Sequence, residues 1–384
     1  MTVLHVAAMP FPTVQGTQAA VRAMIDAEHA AGRAPELLAY AHGGYELVPP
    51  WPIHRITNVV RDRSLRSGPS WRKVIADAQL AAKTRRLFAS LAPELVIAHH
   101  VEAAAAALAA RARPLVFVAH TALGPELPAY LPPRAAKLAA RAGEAVDAIL
   151  ARRADAVAAV SPLLARMLSE RAVREVRYLP VPWTVPAPIE PGERQKARTR
   201  FGMTPTEPVF LYAGNLDAYQ GIDVLARAFA IVRRRRTDAR LLVATASDPD
   251  PLERALWSLG CRDRAVFAPL ADEPDRRVVH AAADAVLVTR AAPGGLPIKL
   301  LDALARGVPA IATRRAAAGL PLEGAALLVA DDDAEALAAA ALLAVEARET
   351  SAELGRRGME YVRREHAAAR YLEAMRECAA AARR

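Results

Sequence analysis

The feature that most constrains this chain is an alternation that runs, stops and starts again. Short apolar runs such as VLHVAAM at the start, ELVIAHH (94–100), PLVFVAH (114–120), Ala154–Ser161 and VRYLPVP (176–182) are separated by stretches with helical spacing. Among the latter are Thr17–Ala31 and the run VEAAAAALAARA that follows His100. The stretch VPWTVPAPIEPGERQKARTRFG (181–202) is dense in proline and charge and carries no periodic apolar pattern beyond one short basic helix. The alternation then restarts with PVFLYAG (208–214), helix 221–236, ARLLVAT (239–245), helix 251–259, AVFAPL (265–270), DAVLVTR (284–290), helix 297–306, PAIAT (309–313) and LLVA (327–330), before helical sequence to Arg384. Strands of this length between helices predict parallel sheets covered on both faces. A proline-rich connector predicts two such units. The expected division is residues 1–185, a linker at 186–205, residues 206–360, and a C-terminal helical segment at 361–384.

Composition narrows the class. At 384 residues the chain has room for two ordinary domains, and its apolar share of 53% supplies ample core. Cys261 and Cys378 lie far apart in unrelated segments, which argues against a disulfide framework or a cysteine metal site. MTVLHVAAMPF has no basic leader, and the apolar helical runs fall short of the roughly 20 residues a membrane span needs, so a cytoplasmic setting is expected. The formal charge is +10; the part through Glu190 carries 22 Lys/Arg against 15 Asp/Glu, or +7, and the remainder 29 against 26, or +3. An excess of that kind favours an acidic partner. It concentrates in residues 55–86, with nine Arg/Lys and two Asp around Trp71 and just after Trp51. Such a segment suits an acidic membrane surface or lipid phosphate, the inner face of the cytoplasmic membrane included. A plain solvated face accounts for it as well. No nucleic-acid motif accompanies it, and no specific nucleic-acid partner is expected.

Four motifs, in this order and spacing, resemble the family 4-type glycosyltransferases of the GT-B fold. They are PFPTVQGTQAAVRAMIDAEHAAG (10–32), ADAVAAVSPLLARML (154–168), VFLYAGNLDAYQGIDVLARAF (209–229) and PGGLPIKLLDALARGVPAIAT (293–313). The resemblance covers about residues 1 to 360. It implies two Rossmann-like parallel-sheet domains facing each other across a cleft, and transfer of a sugar with retention of configuration. The donor would be a nucleotide-diphosphate-sugar, UDP- or GDP-linked, held by the second domain. The acceptor would be a hydroxyl of a lipid-linked, polysaccharide or small molecule, with no metal or other cofactor required. It also implies that the C-terminal helices cross back to the first domain.

The sequence departs from the family where the donor binds. Two glutamates eight positions apart are usual; here the first position is Gly294 and the second Asp302. The usual Arg and Lys of the second domain's glycine loop correspond to Asn215 and Gln220, between Gly214 and Gly221. The expected donor site is therefore Gly294, Gly295, Leu296, Pro297 and Ile298 with Lys299. In this arrangement glycine lets the backbone approach, the helix N-terminus faces the diphosphate, and Lys299 adds a point charge. Arg290, at the end of its strand, is a phosphate or sugar contact, and Gly16 faces the diphosphate from the first domain. Asp302 either accepts the ribose hydroxyls or holds Lys299 as an i,i+3 pair. His120, closing its strand, matches the family's sugar-contacting histidine or caps the following helix. One of His99 and His100, together with Glu126, falls to the acceptor side; Glu126 reads equally as a helix N-terminal acid. The lost acid and the altered loop also fit a non-catalytic scaffold or binding protein of the same fold, and a nucleotide-sugar epimerase would use the same cleft.

Overall fold

The computed structural model describes the whole chain except Val14, residues 45–47, Asn58 and residues 60–69, and the side chain of Pro133. Most of the basic segment that precedes Trp71 lies outside the described residues.

The first unit runs β1 (Thr2–Ala7), α1 (Gly16–Ala30), β2 (Ala34–Ala39), β3 (Ile53–Arg55), α2 (Trp71–Leu91), β4 (Leu95–His99), α3 (His100–Ala109), β5 (Leu115–Ala119), α4 (Leu123–Glu126), α5 (Ala136–Arg153), β6 (Ala156–Ala159), α6 (Pro162–Ala172) and β7 (Arg177–Tyr178). Its seven strands are all parallel in the order β3-β2-β1-β4-β5-β6-β7. After α7 (Pro191–Arg200) the second unit runs β8 (Val209–Ala213), α8 (Ile222–Arg235), β9 (Arg240–Thr245), α9 (Asp250–Ser258), β10 (Ala265–Pro269), α10 (Glu273–Ala282), β11 (Ala285–Val288), α11 (Ile298–Ala305), β12 (Ala310–Thr313), β13 (Leu327–Val329), α12 (Ala334–Glu346) and α13 (Arg348–Glu365). Its six strands are parallel in the order β10-β9-β8-β11-β12-β13. Each sheet reverses strand order beside its first strand, which opens a crevice at the carboxyl ends. The two sheets form two Rossmann-like domains, the GT-B arrangement.

Local chemistry explains the elements. Every residue of β4, β5 and β8 is buried, as parallel strands covered on both faces require. Ser70, Ser161, Asp272 and Asp333 each accept a backbone N–H at the start of α2, α6, α10 and α12. Two strands escaped the sequence reading. Pro35 and Glu36 interrupt the apolar run of β2, and β3 is a three-residue edge. The expected linker is also more structured than its composition suggests. α7 packs on α10, and Arg194 and Arg198 grip Asp284 at 2.5 and 2.7 Å. Trp51 is buried rather than displayed, with Nε1 donating to Asp26 at 2.8 Å, so it adds nothing to an interfacial surface.

The chain re-enters the first domain at His366. The Trp183 N–H donates to the His366 carbonyl at 2.9 Å, and His366 Nδ1 lies 2.7 Å from the Val181 carbonyl, so the outgoing and returning crossings are tied together. α14 (Ala368–Ala382) then packs against α1, β5, β6 and β7. Burial pushes the His366 imidazole down to about 4, although the carbonyl it faces favours the charged form. The neutral ring is favoured in the fold, whereas the unfolded chain takes up a proton below about 6.5. Stability present above that value is therefore lost as pH falls towards 4. The His366 share is on the order of 3 kcal/mol. His280, buried and pushed down to about 4, adds a slope of the same sign, so melting curves should fall between pH 7 and 4, and His366→Gln, which keeps an N–H but cannot charge, should make that fall shallower without abolishing it.

Candidate functional site

A cleft of about 1150 Å³ lies between the carboxyl ends of the two sheets. Its two walls meet at their helix starts. A side-chain carbon added at Gly16, the first residue of α1, would lie 3.3 Å from Ile298, the first residue of α11. Neither helix has a side-chain cap on its first N–H groups, so both present unpaired donors and a positive dipole end.

Lys299 stands at this junction. Its Nζ donates to Tyr212 Oη at 2.8 Å and to Gln220 Oε1 at 2.9 Å, and it sits 4.0 Å from the centre of the Tyr212 ring. Both hydrogen-bond partners are neutral. Gly214, at φ +153°, makes room: a side-chain carbon there would come within 3.2 Å of the lysine stem. Gln220 in turn donates to Asn215 Oδ1 at 2.6 Å, and Asn215 Nδ2 donates to Asp217 at 3.0 Å and Tyr219 Oη at 2.9 Å. Asn215 and Gln220 thus serve as a polar tether for Lys299. Loss of solvent, then the nearby Arg290, hold the ammonium well below its ordinary value. An anion in front of it would reverse that shift.

Arg290 is buried and bridges the domains. Nε donates to the Ala292 carbonyl at 2.9 Å, Nη1 to the Gly295 carbonyl at 3.1 Å, and Nη2 to Glu126 Oε1 across the cleft at 3.0 Å. The two residues assigned to opposite substrates are therefore partners of each other. Burial pushes the Glu126 carboxyl up, opposed by Arg290. Gly294, at φ +145°, accepts at its carbonyl from Ser161 Oγ at 3.0 Å, and a side-chain carbon there would approach Arg290 Nη2 at 3.9 Å. Asp302 lies on the cleft wall, paired with Arg276 at 3.2 Å and Arg306 at 3.7 Å rather than with Lys299. Leu296 and Pro297 line the same wall.

His120 and His100 line the cleft, with ring centres 5.0 Å apart. His99 does not belong to the acceptor wall: it is fully buried behind His120, with Nδ1 3.0 Å from His120 Nε2 and Nε2 3.0 Å from His5 Nδ1. Burial, then neighbouring histidines, hold His99 and His120 well below the ordinary imidazole value. Sequence reasoning missed His5, Glu28 and Tyr371 behind this wall. An acid at position 28, four residues past Met24 on the apolar side of α1, and a histidine inside VLHVA are the signals that mark them. It also missed Tyr40 and Asp77, whose 2.5 Å hydrogen bond sits beside the wall; burial pushes the Asp77 carboxyl up to about 6. Among the described residues no group of three or more His, Cys, Asp or Glu is placed to hold a metal ion, and no helix is long and apolar enough to cross a membrane.

The cleft width is set where Gly295 meets the His120 backbone. A side-chain carbon at residue 295 would fall 1.7 Å from the His120 carbonyl oxygen, backbone against backbone. Gly295→Ala should push the walls apart, lowering the melting temperature and enlarging the radius of gyration in small-angle scattering. Overpacking of this kind costs about 1–3 kcal/mol or more. Gly192→Ala, where an added carbon meets nothing within 4 Å, should change neither.

Comparison with known proteins agrees with the two-domain fold. Residues 14–182 match the family described as Glycosyltransferase Family 4, and residues 207–346 match Glycosyl transferases group 1. The D-inositol 3-phosphate glycosyltransferase of Segniliparus rotundus is 28% identical over 139 residues, 35% of this chain and 30% of that protein. D-inositol 3-phosphate glycosyltransferase 1 of Catenulispora acidiphila is 31% identical over 241 residues, 57% of this chain and 55% of the relative. The chain thus spans from under a third to about half the length of these relatives. Among solved structures, sucrose-phosphate synthase from Thermosynechococcus elongatus superposes with a TM-score of 0.81 at 20% identity, covering 98% of each chain. Anabaena Alr3699/HepE, in complex with UDP-glucose, gives 0.78 at 18% identity over 99% of this chain and 100% of that one. The chain is a GT-B-fold protein related in both of its halves to the family 4 and group 1 glycosyltransferases.

Proposed function

We propose that this protein is a retaining glycosyltransferase that moves a sugar from a UDP- or GDP-sugar to a hydroxyl acceptor, without a protein-bound metal. The observation that carries the reading is Lys299, a partly buried amine on neutral partners whose positive charge an anion would favour, at the meeting point of two uncapped helix starts. A diphosphate placed there gains backbone N–H groups from both domains and one full positive charge, the combination that stabilises a leaving diphosphate. Gly294, whose open face meets nothing nearer than Arg290 Nη2 at 3.9 Å, admits it closely, whereas the open faces of Gly295 and Gly16 are taken up by the His120 backbone and Ile298. Asp302, held by two arginines, keeps carboxylate lone pairs for ribose hydroxyls.

Gly294 lacks the carboxylate usual at its position, and the Glu126–Arg290 pair stands beside it. In this proposal Glu126 supplies that carboxylate from the opposite domain and contacts the sugar once the cleft is loaded. The acceptor enters past His100, Asp77 and Tyr40. Trp71, Val74 and Ile75, exposed at the start of α2 beside Arg72, support a peripheral contact with an acidic membrane and hence a lipid-linked acceptor at the cytoplasmic face. The missing acid also favours a second reading, nucleotide-sugar binding without transfer, which product formation separates from the first.

The direct test is thermal stability against UDP-, GDP-, ADP- and dTDP-sugars, with and without magnesium. Binding at a hundred times the dissociation constant stabilises by about 2.7 kcal/mol. One nucleotide class should raise the melting temperature without magnesium. Lys299→Ala should weaken that binding roughly 10- to 100-fold, as loss of a charged hydrogen bond does. No shift with any nucleotide-sugar, or an unchanged shift in the variant, would remove this assignment of the site.

A further inference from the structure

Behind His120 lies a line of polar groups that the donor site does not use. Tyr371 on α14 donates to Glu28 Oε1 at 2.8 Å; Glu28 Oε2 lies 3.2 Å from His5 Nε2; His5 Nδ1 lies 3.0 Å from His99 Nε2; and His99 Nδ1 lies 3.0 Å from His120 Nε2. Tyr371, Glu28, His5 and His99 are fully buried, and only His120 reaches the cleft. The His5 and His99 rings are near-parallel, 9° apart, so their nitrogens meet edge to edge. Arg33 stands 3.5 Å from Glu28, on the side away from the histidines. Five polar side chains from β1, α1, β4, α14 and the end of β5 do not reach one line inside a core by default, since each costs burial energy unless its partners satisfy it.

The anchor fixes the direction of every bond. Burial alone would raise the Glu28 carboxyl, but His5, Tyr371 and Arg33 hold it lowered, so it is the acceptor at the inner end. With Glu28 ionised and the His5 ring neutral at rest, as the ladder requires, His5 carries its proton on Nε2 and accepts at Nδ1. His99 must then donate from Nε2 and accept at Nδ1, and His120 must donate from Nε2. The Nδ1 of His120 is left as a lone pair at the cleft.

We propose that these groups form a proton relay for the transfer step, resting on the glycosyltransferase reading above. The O–H bond of the attacking hydroxyl breaks and its proton bonds to His120 Nδ1. The His120 Nε2 proton passes to His99 Nδ1, and the His99 Nε2 proton passes to His5 Nδ1. His5 becomes an imidazolium beside the Glu28 carboxylate. The oxygen, now anionic, bonds to the anomeric carbon on the same face from which the diphosphate departs, as the carbon–oxygen bond to the diphosphate breaks; the diphosphate leaves with that electron pair and the configuration is retained. The reverse sequence returns the proton through His120 after product departs. Glu28 is a positioning residue: it touches no substrate and sets the polarity of the ladder.

Two measurements test this. Long-range proton–nitrogen spectra of ¹⁵N-histidine-labelled protein report which ring nitrogen is protonated. His5, His99 and His120 should all carry Nε2–H in the wild type, and Glu28→Gln should lose that pattern. The second is release of nucleoside diphosphate from the nucleotide-sugar that shifts the melting temperature, with water as acceptor. Glu28→Gln should lower kcat by about 10²-fold, in the range of a lost acid–base function, with KM for the donor unchanged. Glu28→Asp should recover most of it. Nδ1–H on His99 or His120 in the wild type overturns the ladder without needing any variant to fold. Wild-type turnover with Glu28→Gln unaffected overturns the relay alone; no wild-type turnover with any nucleotide-sugar overturns the transferase reading and the relay with it.

Discussion

Everything in the cleft depends on how closely two stretches of backbone approach. The His120 carbonyl occupies the space where any side chain at residue 295 would begin, so the turn before α11 lies directly on the end of β5. That contact brings the start of α11 against the start of α1, aligns Arg290 with Glu126, and seats the Gly294 carbonyl on Ser161. Two parallel sheets supply the crevices, but the glycine supplies their separation. A wider gap would leave two half-sites, each with a helix start and neither with enough positive potential to hold a doubly charged group.

The departures from the family pattern become intelligible as a set. Asn215 and Gln220 are uncharged, and in the fold they form a tether whose end is Lys299. The loop itself carries no cation at these two positions; the amine that it holds belongs to α11 and is fixed by hydrogen bonds to Tyr212 and Gln220. Gly294 lies beside an arginine already paired with Glu126 from the other domain. The carboxylate that balances Arg290 therefore reaches it only through the domain contact.

Much of this was legible in the sequence, for identifiable reasons. Buried parallel strands such as LVFVA and VFLYA announce themselves because both faces must be apolar, and the proline-dense seam marks the change of domain. β2 was hidden by Pro35 and Glu36; α7 is the short basic helix of the seam, whose charge the fold spends on Asp284 and backbone carbonyls. Lys299, Arg290, Glu126 and His120 could be named from their places at strand and helix ends. Their partners could not, because pairs such as Arg290 with Glu126 are 164 residues apart in the chain and local spacing carries no trace of them. The choice between His99 and His100 stayed open for the same reason; His100 lines the cleft and His99 does not. Alternation along β4 places it behind the wall, and only the neighbouring strands show that His5 and His120 stand on either side of it.

The return of α14 to the first domain bears on how the molecule is made. Tyr371 and Met375 are fully buried in a core they share with β5 and β6, and the Tyr371 hydroxyl reaches Glu28 on α1. During synthesis on the ribosome, the first sheet emerges long before the helix that covers this face. Until the second domain has been translated, that surface is bare and the Glu28 carboxylate lacks its outer partner. The first domain cannot complete itself in order of emergence, so its maturation waits on the other domain and exposes an apolar sheet to chaperones in the interval.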